Sequence, residues 1–234
     1  MKYVGSKSRI AKHILPIILS NRHKNQLYVE PFCGGCNSLQ FVTGKRLAND
    51  GHKPLIAMWR ELLNGWKPRM YSKEDYCEIR DNKEAFPLHE VGWVGFNLSY
   101  CGKYFGGFAG VTKTDQGVRD YQREAINNIN KQLPLLNDVE FENCTFFNFY
   151  PPDGSIVYCD PPYKDTTSYS IPFDHEQFWI WADKLSKRCE VFVSEYSCPI
   201  KHKLCYEAKV LSSLSANGYI GGSKVSNEKL FKIG

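Results

Sequence analysis

The apolar residues recur at two spacings that take turns along the chain. Ile10, Ile14, Ile17 and Ile18 sit at helical intervals within residues 8–20, which predicts an amphipathic helix. Leu27-Tyr28-Val29-Glu30 reads as a strand ended by Pro31, and Arg46-Leu47-Ala48-Asn49 reads as a second strand. Between them lies a glycine loop, followed by a short helix predicted over 37–43 with Asn37 or Ser38 as its cap. Residues 54–66 are predicted helical, with proline in the first turn. Further on, strands are predicted at 139–149, 155–159, 190–195 and 206–210. A helix over 174–188 opens on Asp174 as N-cap, and residues 228–233 alternate with period two as a final strand.

From about 67 to 137 this alternation is lost. Helical stretches are predicted near 73–85 and 117–134, separated by the aromatic and glycine-rich segment 96–110. The sum is an α/β sheet built from residues 1–66 and 138–234. A smaller, mainly helical insertion occupies 67–137. In open α/β sheets ligands bind beyond the carboxyl ends of the strands, so residues just after strands are the first candidates for chemistry.

Composition narrows the class. The chain has 234 residues, 42% hydrophobic and 24% charged, as expected for a soluble globular protein. No segment has the apolar length of a signal peptide or a membrane span, so a cytoplasmic protein without a membrane partner is expected. Nine cysteines are scattered through it, and in a reducing compartment most are expected as buried thiols. Cys33 and Cys36 have the spacing of a redox or zinc pair, but no second pair accompanies them. Net charge is +5, with six Lys or Arg and no acid in residues 1–24. Such a basic start suits a phosphate-bearing partner, and a solubilising surface accounts for it equally well.

The most informative residues are Asp160-Pro161-Pro162-Tyr163, which follow the apolar run Ser155 to Cys159. Two prolines fix the backbone and hold the Pro161 carbonyl rigidly beside the Asp160 carboxylate. Together these two acceptors suit activation of an exocyclic amino group on a flat ring, with Tyr163 stacking on the ring. Gly34 and Gly35 allow a tight turn after the first strand, and Asp50 follows the second, where a carboxylate can accept from both hydroxyls of a ribose. The loop is not G-x-G-x-x-G, so a dinucleotide is not indicated. The combination suits S-adenosyl-L-methionine (AdoMet). No metal is expected, because the leaving group is a neutral thioether. A base inside a duplex must be flipped out to be reached, and the loop 164–173 is expected to close over it.

These motifs resemble those of the Dam-type (D12 class) site-specific DNA adenine-N6 methyltransferases, over nearly the whole chain. Lys2-Tyr3-Val4-Gly5-Ser6-Lys7 is similar to the family's first element, with tyrosine for tryptophan. Glu30-Pro31-Phe32-Cys33-Gly34-Gly35-Cys36-Asn37-Ser38 resembles its glycine loop, with the second glycine position altered at Cys36. Asp50 matches the ribose-binding aspartate, Asp160-Pro161-Pro162-Tyr163 the catalytic motif, and Glu228-Lys229-Leu230 the closing hairpin. The resemblance implies a Rossmann-like, mostly parallel methyltransferase sheet with a C-terminal antiparallel hairpin. It implies cofactor contacts from Tyr3, Lys7, Glu30, Pro31, Phe32, Gly34, Asp50 and Asp160. It also implies that the insertion holds double-stranded DNA. Asn97, Tyr100, Lys103, Lys113, Arg119 and Arg123 are the candidates there, with Tyr104 and Phe105 for stacking. No arginine stands beside Asn97, where the family often has one. A monomer is expected, with a dimer on DNA as the other arrangement, from a bacterial or phage source. Cytosine-N4 methylation, methylation of RNA or a protein glutamine, and an inactive DNA-binding relative stay open as alternatives.

Overall fold

The computed structural model describes residues 1–115, 117–163, 173–212 and 224–234. Its centre is a seven-stranded sheet in the order β5-β2-β1-β6-β7-β9-β8. The strands are β1 (Tyr28–Glu30), β2 (Arg46–Asn49), β5 (Val139–Glu142), β6 (Ile156–Cys159), β7 (Glu190–Glu195), β8 (His202–Ser212) and β9 (Lys224–Ile233). The first five run parallel, and β9 and β8 add an antiparallel edge. This is the Rossmann-like methyltransferase architecture expected from the motifs.

Period-two side-chain alternation divides the core between the two faces of the sheet. Tyr28, Ala48, Ile156, Tyr158, Phe192 and Leu230 face one cluster. Val29, Leu47, Val157, Cys159, Val191, Val193 and Phe231 face the other. The first face is covered by α1 (Ala11–Ile18), α2 (Lys53–Leu63) and α4 (Leu88–Asn97). The second is covered by α6 (His175–Ser186) and an aromatic group containing Phe32, Phe146, Phe173 and Trp181.

Residues 67–137 carry α3 (Lys73–Asp81), α4, the hairpin of β3 (Val111–Thr114) and β4 (Gly117–Asp120), and α5 (Tyr121–Gln132). Tyr76, Ile79, Val91, Trp93, Val94 and Phe96 are buried in the same cluster as α1 and α2. α4 lies so close to α2 that a Cβ on Gly92 would meet the Pro54 carbonyl oxygen at 2.1 Å. Only glycine permits that approach.

Several expectations are corrected. Residues 37–43 make only a 3₁₀ turn, Leu39–Phe41, with no side-chain cap. Both candidate caps are engaged elsewhere: Asn37 Oδ1 accepts from the Met1 amine at 3.4 Å, and the Ser38 hydroxyl bonds Glu30. The strand expected over 139–149 stops at Glu142. There the Asn49 side chain binds the backbone N–H and C=O of Cys144, each at 3.0 Å, and draws the chain off the sheet. Residues 117–120, expected as helix, pair with 111–114 instead. The helix begins behind them, where Asp120 accepts from the Arg123 amide at 3.0 Å. Helix α4 was not anticipated.

Candidate active site

Strand order places β1 and β6 side by side at the centre of the sheet, with Val29 opposite Val157. From β1 the chain winds outward through β2 to β5, and from β6 it winds the other way to β7. The neighbouring ends of β1 and β6 are therefore the topological switch point, where a crevice opens. A cavity of about 380 Å³ occupies this place, within the size range of small-molecule sites. Its wall includes Tyr3, Lys7, Pro31, Phe32, Gly34 and Asp50 from the cofactor candidates, and Asp160 and Pro162 from the catalytic motif. Thus two motifs separated by more than a hundred residues open on one space. Glu30, Pro161 and Tyr163 are buried behind that wall and are not among its described lining residues.

The glycine loop is anchored at every turn. The Gly34 amide donates to Asp50 Oδ2 at 3.0 Å, and the His52 amide donates to Asp50 Oδ1 at 2.9 Å. Trp59 Nε1 donates to the Gly34 carbonyl at 3.0 Å, and Gln132 Nε2 donates to the Gly35 carbonyl at 2.9 Å. Gly34 has φ +47°, and the Tyr3 ring lies where its Cβ would be, at 2.6 Å. A side chain here would displace the aromatic wall of the cavity as well as strain the backbone. Cys36 adopts φ 52° where the family has glycine, so the altered position keeps the left-handed turn. Cys33 and Cys36 are buried free thiols.

Burial pushes the Asp50 carboxyl up to about 6, against the two amides that favour its ionised form. His52 also lines the cavity, held between Phe96 and Tyr104 with ring centroids at 4.9 and 4.3 Å. Burial lowers it to about 4, so it is a neutral aromatic wall. No sequence motif pointed to His52, Trp59 or Gln132.

On the catalytic side Asp160 meets a cation. Lys7 Nζ lies 3.1 Å from Asp160 Oδ1, 3.5 Å from Glu228 Oε2 and 4.3 Å from the Tyr163 ring centre. The Tyr163 hydroxyl donates to Glu228 Oε2 at 2.8 Å, and Tyr196 meets its ring at 4.7 Å. Burial pushes Asp160 up to about 6, Lys7 pulls it down, and Glu228 and Glu195 add to the rise. Burial works against the Lys7 ammonium, but Asp160 and Glu228 outweigh it and lift its pKa above the ordinary lysine value. Lys7 was expected to touch the cofactor; it lines the cavity, yet its charge is directed at Asp160.

The DNA candidates separate. Lys103 and Tyr104 line the cavity. Tyr100 is exposed, as are Lys113 and Arg119 on the β3–β4 hairpin and Arg123 at the start of α5. Arg119 is paired with Glu124, which also binds Lys2 at 2.9 Å. Asn97 is corrected: it is buried at the end of α4 with its amide against Met58 Sδ at 3.3 Å, so it offers nothing to a surface ligand. Of the loop expected to close over a base, residues 164–172 lie outside the described residues, and Phe173 lines the cavity.

A parallel-centred sheet with an adenosine-sized cavity at its switch point, an acid-anchored glycine loop and Asp-Pro-Pro-Tyr at the next strand end defines an AdoMet-dependent methyltransferase. The family model of the D12 class N6 adenine-specific DNA methyltransferases matches residues 3–204, and the chain belongs to that family. Among solved structures, the chain is similar to the rRNA methyltransferase aviRa from Streptomyces viridochromogenes, at 13% identity and TM-score 0.43, covering 99% of this chain and 86% of that one. Another is a predicted N6-adenine-specific DNA methylase from Listeria monocytogenes, at 12% identity and TM-score 0.35, covering 97% of this chain and 50% of that one.

Proposed function

We infer that the chain transfers the AdoMet methyl group to N6 of an adenine flipped out of duplex DNA. One observation carries this reading: the Asp50–Gly34 pair and the Lys7-paired Asp160 open on the same cavity. Asp50 accepts from the ribose hydroxyls, and Tyr3, Phe32 and the glycine loop bound the cofactor. Asp160 accepts one N–H of the adenine amino group and the Pro161 carbonyl the other, which draws the nitrogen lone pair out of the ring. That lone pair forms the new N–C bond as the C–S bond breaks, and sulfur keeps the electron pair as a neutral thioether. The nitrogen sheds one proton toward Asp160. These acceptors act through positioning and preset electrostatics.

Tyr163 is the ring on which the base stacks, and Lys7 Nζ lies 4.3 Å from its centre. Flipping costs a few kcal/mol, and stacking on an aromatic ring returns about 1–3 kcal/mol. Residues 67–137 hold the duplex, with Lys103, Lys113 and Arg123 as phosphate contacts. The test is labelled AdoMet with mixed-sequence duplex DNA and nucleoside analysis of the product. Label in N6-methyladenine supports the reading. Label only in N4-methylcytosine moves the acceptor to cytosine, and label in neither overturns it.

A further inference from the structure

Glu228 lies on β9, more than sixty residues beyond the catalytic motif, and was nominated only as part of a closing hairpin. The structure gives it a more specific place. Its Oε2 accepts from the Tyr163 hydroxyl at 2.8 Å and stands 3.5 Å from Lys7 Nζ. Its side chain is 13% exposed, so both contacts are sheltered from water. Lys7 in turn holds Asp160 at 3.1 Å and lies over the Tyr163 ring. One carboxylate from the antiparallel edge therefore ties together the acceptor, its counter-ion and the aromatic ring of the motif.

We propose that Glu228 is a positioning residue for methyl transfer: it fixes Lys7 and Tyr163 and thereby sets the geometry and charge of Asp160. This rests on the reading of Asp160 as the acceptor of the amino N–H. Two features favour this role over a purely structural one. First, the pairing of β9 with β7 already runs along residues 229 to 233 through backbone hydrogen bonds, so the sheet does not need the Glu228 side chain. Second, one cation is shared by two carboxylates, and Glu228 works against the ionised form of Asp160. The charged and titratable groups around Glu228 are Lys7 from the N-terminal segment, Asp160 and Tyr163 from the loop after β6, and Tyr158 from β6 itself, while Glu195 from the end of β7 acts on Asp160.

Removing the Glu228 charge leaves Lys7 to serve Asp160 alone. Asp160 then ionises at lower pH, but Lys7 and Tyr163 lose their shared anchor. The experiment compares wild type, Glu228→Gln and Tyr163→Phe in single-turnover methylation of duplex DNA across pH 5 to 9, with AdoMet affinity measured by calorimetry without DNA. Glu228→Gln is expected to keep AdoMet affinity within about threefold, lower the plateau rate about 10- to 100-fold, and move the acid limb to lower pH. Tyr163→Phe removes the same hydrogen bond from the other side. It is expected to lower the plateau without moving the limb, because the Glu228 charge remains. An unmoved acid limb and an unchanged plateau in Glu228→Gln would overturn the proposal. If Glu228→Gln does not fold, Tyr163→Phe decides, and an unchanged plateau there overturns it. Asp160→Asn run alongside separates the two levels: activity in that variant defeats the acceptor assignment itself, whatever Glu228→Gln shows.

Discussion

Glu30 and Asp160 are the same kind of group in the same kind of place, yet they are in different states. Each follows or ends one of two neighbouring central strands, and each is withdrawn from water. Among the described residues the hydrogen-bond partners of Glu30 are hydroxyls: it accepts from Tyr28 at 2.9 Å and bonds Ser38. Burial dominates there and pushes it up to about 8. Asp160 has the Lys7 ammonium at 3.1 Å, and the same penalty carries it only to about 6. The two hydroxyl donors offset less of the desolvation at Glu30 than the paired cation offsets at Asp160. At neutral pH Glu30 keeps its proton and serves the scaffold, while Asp160 is ionised and can accept from a substrate.

The largest expected break in this comparison is Asp160→Asn, which removes the acceptor charge. Turnover is expected to fall about 1000-fold or more, with DNA affinity by gel shift largely retained. Next is Lys7→Met, which makes Asp160 resemble Glu30. The methylation rate at pH 7 is expected to drop about 10- to 100-fold as the carboxylate fills with a proton, and to recover in part at pH 9. Asp50→Ala tests the other wall of the cavity. Calorimetry is expected to show AdoMet binding weakened about 10- to 100-fold, the loss of hydrogen bonds to a charged group, with the plateau rate at saturating AdoMet less affected.

The last expectation concerns stability rather than turnover or binding. The folded-state pKa of Glu30, about 8, lies above its unfolded value of 4.5. Between these values the folded chain keeps a proton that the unfolded chain has released, so stability falls as pH rises. Across that window the loss is on the order of 3 to 5 kcal/mol. Denaturant titrations at pH 5 and pH 8 should show the decline, and Glu30→Gln, which cannot titrate, should flatten it.

Much of this was legible in the sequence where a local signal carried a local structure. The second strand and residues 190–195 fell where β-rich runs placed them, and Asp174 caps α6 by accepting from the Gln177 amide at 3.0 Å. The motifs at 30–38, at Asp50 and at 160–163 were expected to face one ligand, and they border one cavity. Helix α4 was not legible because it is buried on nearly every side, which erases the amphipathic period. Its glycines, read locally, suggest a loop. Asn97 was misjudged for the same reason, since its neighbourhood reads as polar surface and is core. Lys7–Asp160 and Glu228–Tyr163 link residues 153 and 65 positions apart. No periodicity encodes such pairs; the sheet order creates them.

The most direct test is the pH dependence of single-turnover methyl transfer in wild type and Lys7→Met. The account predicts a rate that rises tenfold per pH unit below a midpoint near 6 in wild type, with the midpoint moved upward in Lys7→Met. The same midpoint in both proteins, or a rate independent of pH between 5 and 8, would contradict it.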